Sequence, residues 1–245
     1  MKQLLLDTIK EAGALSLKYF RKEYTTSRKG SQDIVTEADT AIETFIRKKL
    51  EPTGYNILGE EEGFAQADSN YTWYIDPIDG TRNFNRGIAL YSITIALAKQ
   101  GEIIMGAIYD PVADELFFAE KGKGATLNGQ KIYVRHAEPH ETIFTCSASY
   151  AKQLRKDLFL LTRVLGSAAI ELAYVACGRS QGCALRNLKP WDFAAGALLI
   201  KEAGGNVTDI HGDSFNLDDD TILATTKELH PVLFDYLNKK TRNKD

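Results

Sequence analysis

Residues 73–84 read Trp-Tyr-Ile-Asp-Pro-Ile-Asp-Gly-Thr-Arg-Asn-Phe, and no other stretch constrains the chain as strongly. Trp73, Tyr74 and Ile75 suit a pleated, half-buried surface, while Pro77 removes a backbone donor and restricts the residue before it. The expectation is a buried strand that stops at Pro77, with Asp76 and Asp79 at its mouth. Gly80-Thr81 follows as a turn whose N–H groups open a helix and can face an anion. Paired carboxylates on a stiff turn suit Mg²⁺, and the adjacent N–H groups can hold the phosphate that such ions polarise. Asp, Pro and Gly are also ordinary turn formers. The apolar strand ahead of them, together with candidate acids elsewhere, favours the metal reading.

The chain has 245 residues, 44% hydrophobic and 26% charged, enough for a sizeable core in one large domain or two fused lobes. A formal net charge of −3 exerts no general pull on nucleic acid or anionic membranes, so an anionic substrate needs a local cationic trap. Cys146, Cys177 and Cys183 are odd in number and lack C-x-x-C spacing, as expected of free thiols in a reducing cytoplasm. The opening apolar run is broken by Asp7, Lys10 and Glu11, unlike a signal peptide, and no apolar stretch is long enough to span a bilayer. His136, His140, His211 and His230 show no ligand spacing.

Leu5, Ile9, Ala12, Leu15 and Tyr19 recur at helical spacing. The basic stretch 21–32, with Arg28, Lys29, Gly30 and Ser31, reads as a solvated loop or hairpin. Thr36 is a plausible N-cap, with Asp39 three residues on, for a helix that puts Ile42, Phe45, Ile46 and Leu50 inward and ends by Pro52-Thr53-Gly54. A strand over 55–58 delivers Glu60-Glu61-Glu62. Three adjacent acids usually mark an exposed loop, yet Glu60, first beyond the strand, is placed to complete a cation site. Strands over 91–98, 103–109, 115–119 and 131–134 suggest an antiparallel sheet, and Asp110-Pro111 reads as structural. Near residues 137–141 the pattern changes to strands alternating with helices, dividing the chain into lobes 1–140 and 141–245. The second lobe carries a strand over 142–146 and a helix, or helix plus strand, over 151–165 that holds Arg155, Lys156 and Arg163. A small-residue helix opened by Gly166-Ser167-Ala168-Ala169 comes next, then a strand over 181–185. Asp192 reads as the N-cap of a helix running to Ala203. A strand over 222–225, a helix over 227–237 and a frayed tail over 239–245 close the chain.

Asp33 through Asp39, Gly59-Glu60-Glu61, Trp73 through Phe84, Gly166 through Ala169, and Trp191 through Gly196 with Glu202-Ala203-Gly204-Gly205 stand in an order that resembles the inositol monophosphatase family. The resemblance covers nearly the whole chain. It implies an α+β fold, a layered αβαβα sandwich, and a Mg²⁺-dependent phosphate monoester hydrolase that uses a metal-activated water. It assigns Glu60, Asp76 and the Ile78 carbonyl to a first Mg²⁺ ion and Asp76, Asp79 and Asp192 to a second. Glu60, with Glu61 helping, would serve a weaker third. It gives Asp39, Thr81 and Glu60 catalytic roles, with Asp39 and Thr81 orienting the attacking water, and it places Gly80, Thr81, Ser167, Ala168 and Arg186 at the substrate.

The resemblance further implies a lithium-sensitive, cytoplasmic homodimer acting on a small-molecule phosphate, with no nucleic acid or membrane partner. One departure concerns the substrate. Many inositol monophosphatases carry an acid seven residues before the aspartate that matches Asp192; here that position is Leu185, followed by Arg186, with Lys189 nearby. The main expectation is hydrolysis of inositol-1-phosphate or a related sugar phosphate. A basic residue at 186 leaves open a fructose-1,6-bisphosphatase or an NADP(H) or 3′-nucleotide phosphatase, with a catalytically weak regulatory binding protein as a third reading.

Overall fold

The computed structural model describes residues 1–22, 26–29, 33–138, 141–151, 154 and 161–241. Gly30, Ser31, His140, Arg155, Lys156 and the tail 242–245 lie outside them. The outermost layer is a helix pair, α1 (Lys2–Tyr19) and α2 (Glu37–Leu50), joined in the chain through the hairpin β1 (Thr26–Lys29) and β2 (Asp33–Thr36). Leu5, Ile9 and Ala12 of α1 are buried, but the stripe continues through Gly13 and Ser16, leaving Leu15 and Tyr19 half-buried. There the Ser16 hydroxyl meets the Tyr91 hydroxyl at 3.0 Å and donates to the Gly13 carbonyl at 2.8 Å.

Beneath these helices lies an eight-stranded sheet of order β10-β9-β8-β7-β6-β5-β3-β4. Its strands are β3 (Asn56–Gly59), β4 (Gly63–Ala65), β5 (Tyr71–Asp79), β6 (Ser92–Lys99), β7 (Glu102–Asp110), β8 (Glu115–Glu120), β9 (Ala125–Leu127) and β10 (Gln130–Ile132). All neighbours run antiparallel except β3 and β5. The single strand expected over 131–134 is instead the hairpin β9–β10, turned by Asn128 and Gly129, both at positive φ. That is the two-residue geometry that matches the twist of the strands. Alternation along the strands divides the core. Trp73, Ile75, Ile93, Ile95 and Ala107 face α1 and α2, while Ala96, Ile108 and Phe117 face the other way.

That second face packs against a middle layer of α4 (Ala168–Ala176) and α5 (Pro190–Glu202). Gly106 of β7 permits the contact, since a Cβ there would stand 2.7 Å from Ala195 Cα. Below them lies a five-stranded sheet of order β12-β11-β13-β15-β14, formed by β11 (Ile143–Cys146), β12 (Leu161–Arg163), β13 (Gly182–Arg186), β14 (Asn206–Thr208) and β15 (Thr221–Thr225). Its outer face, with Phe144, Ala184 and Leu223, is covered by Leu233 and Leu237 of α6 (Leu229–Thr241). The layers therefore run α, β, α, β, α.

Asp192 departs from the expected cap. Helix α5 starts at Pro190, whose missing N–H suits a first helical position, so Lys189 holds the cap and Asp192 stands a turn inside, where its carboxylate accepts the Lys189 N–H at 2.8 Å.

Candidate active site

Strand β5 does not stop at Pro77. It runs to Asp79, and its pairing with β6 passes from Asp76↔Thr94 to Asp79↔Ser92, so Pro77 and Ile78 form a bulge in which the missing N–H interrupts no ladder bond. The bulge keeps both carboxylates at the strand end. Asp76 is 2% exposed and accepts the Ile78 N–H at 2.9 Å. Gly80, at φ +92, turns the chain into the short helix α3 (Thr81–Asn85), and the Thr81 hydroxyl lies 3.0 Å from the Ile78 carbonyl and 3.3 Å from Asp39 Oδ1.

Asp39 is fully buried at the first turn of α2. Its Oδ2 accepts the Thr36 N–H at 2.8 Å and the Thr36 hydroxyl at 2.5 Å, a reciprocal cap that fixes the carboxylate while leaving Oδ1 toward Thr81. Burial holds its pKa above the usual carboxylate range, against the pull of those hydrogen bonds.

Asp79 is gathered from the other half of the chain. Its carboxylate accepts the Ser167 hydroxyl, the Ser92 hydroxyl at 3.2 Å, and the N–H groups of Ala168 at 3.0 Å and Ala169 at 2.9 Å. All of these donors except Ser92, which opens β6, sit at the start of α4, where orphan N–H groups favour an anion. Burial still raises the pKa of Asp79, though these bonds oppose it. Ser167 and Ala168, expected at the substrate, thus meet Asp79 through the Ser167 side chain and the Ala168 amide.

Glu60 follows β3, its N–H donating to the Ile75 carbonyl at 3.3 Å, which places it beside the end of β5. Asp192 arrives on α5, whose start is tied to β6 by the Thr94 hydroxyl donating to the Trp191 carbonyl at 2.7 Å. Burial, then the nearby charge of Asp79, pushes Asp192 up to about 7. Asp76 lies well above its ordinary value. Burial is the first cause, followed by the like charges of Glu60, Asp79, Asp192 and Asp39. The site is therefore a convergence of acids whose charges oppose one another.

Among the described residues, no three His, Cys, Asp or Glu side chains stand as a group that could hold a metal ion. The donor set nevertheless fits a hard divalent cation: every donor is oxygen, the acids come from rigid element ends, and the four charges that raise Asp76 are all carboxylates.

Several supporting residues escaped the sequence reading. Glu43, fully buried on α2, accepts the N–H groups of Glu61 at 2.7 Å and Glu62 at 2.9 Å and pairs with Arg47 Nε at 2.8 Å, so it holds the turn that carries Glu60. A charged pair four residues apart on the face also occupied by Ile42 and Ile46 was the available signal. Arg186 is exposed, with its guanidinium 5.9 Å from the Tyr150 ring. Leu185, 3% exposed in the core, offers the cleft no polar group. A separate cleft of about 640 Å³, lined by Tyr74, Ile103, Leu198, Lys201 and Phe215 among others, includes none of the site acids.

The sequence model of the inositol monophosphatase family matches residues 1–242. An inositol-1-monophosphatase of Mesorhizobium japonicum is 38% identical over 228 residues, 87% of this chain and 86% of that protein. A protein of Thermococcus kodakarensis named fructose-1,6-bisphosphatase/inositol-1-monophosphatase is 37% identical over 88% of this chain and 86% of its own length. The crystal structure of the extragenic suppressor protein suhB from Bartonella henselae superimposes with a TM-score of 0.92 at 34% identity, covering 97% of this chain and 98% of that one.

Proposed function

Because this chain belongs to the inositol monophosphatase family of phosphate monoester hydrolases, we propose that it is a Mg²⁺-dependent phosphatase acting on inositol-1-phosphate or a related sugar phosphate. The observation that carries this reading is the meeting of Glu60, Asp76, Asp79 and Asp192 beside the Gly80-Thr81 turn. Two or three Mg²⁺ ions would be held by Glu60, Asp76, Asp79, Asp192 and the Ile78 carbonyl. When bound, they supply the charge neutralisation and water activation that phosphoryl transfer needs. The N–H groups at the start of α3 bind the phosphate. Thr81 can donate its one hydroxyl proton to Asp39, leaving the oxygen to accept from the attacking water. Asp39, held by Thr36, keeps that alignment and receives the proton. Ser167, Ala168 and Ala169 hold Asp79 in place.

Lithium inhibition, a homodimeric assembly, a cytoplasmic setting and the division into lobes 1–140 and 141–245 belong to the same reading, supported by the family. No helix among the described residues is long and apolar enough to cross a membrane.

The test is phosphate release from inositol-1-phosphate, fructose-1,6-bisphosphate, NADP and 3′-phosphoadenosine 5′-phosphate, each with Mg²⁺ and with EDTA. Release from inositol-1-phosphate is expected with Mg²⁺ and not with EDTA; full activity in EDTA would overturn the metal assignment. A bisphosphatase activity is the second reading, favoured by the exposed Arg186 beyond the buried Leu185. Arg186→Ala is expected to raise KM for fructose-1,6-bisphosphate roughly ten-fold, the loss of one charge-assisted phosphate contact, while KM for inositol-1-phosphate holds. Equal KM values in both proteins would leave Arg186 as a partner of Tyr150 alone.

A further inference from the structure

Helix α4 is apolar along its length apart from Glu171, which is 2% exposed. A buried carboxylate persists only where its surroundings hold it, and here one oxygen accepts two backbone N–H groups. Glu171 Oε1 accepts the Leu165 N–H at 2.9 Å and the Gly166 N–H at 3.3 Å. The same backbone is gripped from its carbonyl side by Asn83, whose amide donates to the Leu165 carbonyl at 2.8 Å and to the Leu90 carbonyl at 2.8 Å. The fit is close: Gly166 takes φ +79, and a Cβ there would stand 3.2 Å from Asn83 Nδ2. The three residues that follow this clamped stretch supply the Ser167 hydroxyl and the Ala168 and Ala169 N–H groups that hold Asp79.

We propose that Glu171 is a positioning residue for the hydrolysis, fixing the 165–166 backbone so that the 167–169 cradle presents Asp79 to the cation site in one orientation. The inference rests on the metal-assisted reading above. Asp79 and Asn83 belong to the first half of the chain and Glu171 and the cradle to the second, so the clamp joins the halves at the site. Glu171 touches neither substrate nor ion.

Because both bonds fall on a single oxygen, Glu171→Gln can keep them, whereas Glu171→Met retains much of the volume and loses the acceptor. The experiment compares these full-length variants with the wild type in two readouts made without substrate: amide hydrogen exchange across 165–169, and Mg²⁺ affinity by calorimetry. Glu171→Met should exchange about ten-fold faster there and bind Mg²⁺ at least about ten-fold more weakly, the scale on which outer-shell partners act. Its kcat should fall more than its KM changes. Glu171→Gln should stay within about three-fold of wild type in each measure.

Wild-type exchange in Glu171→Met would remove the clamp, and faster exchange with unchanged Mg²⁺ affinity would reduce Glu171 to a structural role. Equal losses in Glu171→Gln and Glu171→Met would assign the effect to charge and overturn the hydrogen-bond account. If Glu171→Met does not fold, Glu171→Asp, which shortens the reach by one methylene, takes its place in the comparison. A wild type that binds no Mg²⁺ would sink the metal reading, while the exchange data would still decide the clamp.

Discussion

Asp79→Asn is expected to lower phosphate release at saturating Mg²⁺ by at least about a hundred-fold, because losing one ligand charge from a two-ion site removes several kcal/mol of transition-state stabilisation. The substitution also disturbs the cradle. Asp79 accepts on both oxygens, Oδ1 from Ala168 and Oδ2 from Ser92, Ser167 and Ala169. An amide nitrogen in either place faces at least one N–H donor, and a buried unpaired donor costs about 1–3 kcal/mol. The variant should therefore melt lower than wild type even in EDTA. Activity within three-fold of wild type at saturating Mg²⁺ would refute the assignment of Asp79 as a ligand.

Asp76→Asn should lose comparable activity and move stability the other way. The Asp76 carboxylate accepts the Ile78 N–H on one oxygen, which an asparagine carbonyl can reproduce. The charges of Glu60, Asp79, Asp192 and Asp39 press on it from nearby. A neutral amide relieves that repulsion. In EDTA the variant should be more stable than wild type by roughly 1–3 kcal/mol, raising Tm by a few degrees for a chain of this size.

The sign of the pH effect follows from the direction of the shift. A carboxyl whose folded pKa is raised contributes stability that is fully present below the unfolded carboxylate range and is lost as pH rises through the folded value. The advantage of Asp76→Asn should thus be small in acid and grow above neutrality. Adding Mg²⁺ should reverse the ranking, since the ion stabilises the wild type by mass action and the variant much less. Thermal unfolding at pH 5 and pH 8, with EDTA and with Mg²⁺, measures all of this. An Asp76→Asn protein less stable than wild type at pH 8 in EDTA would remove the picture of mutually repelling acids.

These outcomes trace back to features of unequal legibility in the sequence. The Thr36–Asp39 cap, the apolar run into Asp76 and the Gly80 turn depend on residues within a few positions of one another, so spacing and residue type suffice to foresee them. The extent of β5 and the start of α5 are also local, yet both were misplaced. A proline in a bulge interrupts no ladder bond, and a proline at a first helical position claims the start that Asp192 was expected to cap.

The site's supports are a different matter. Ser167 on Asp79, Asn83 on Leu165 and Glu43 beneath the Glu60 turn join residues between about twenty and ninety positions apart. Ser167 and Ala168 are instructive because their importance was visible and their contact was not. A serine at a helix start reads equally well as a cap or a ligand contact, and only the approach of β5 to α4 makes Asp79 the anion that it meets.

What the sequence by itself determined is the local chemistry: which acids are present, which turn can face a phosphate, and which faces must be buried, all set by side-chain type and period. Tertiary structure alone decided which oxygens of Asp79 are already occupied. It also decided that the charges of Glu60, Asp79, Asp192 and Asp39 all bear on Asp76, and that Glu43 and Glu171 sit in the core. Each of these depends on distances between elements that the chain closes only when its two sheets stack across α4 and α5.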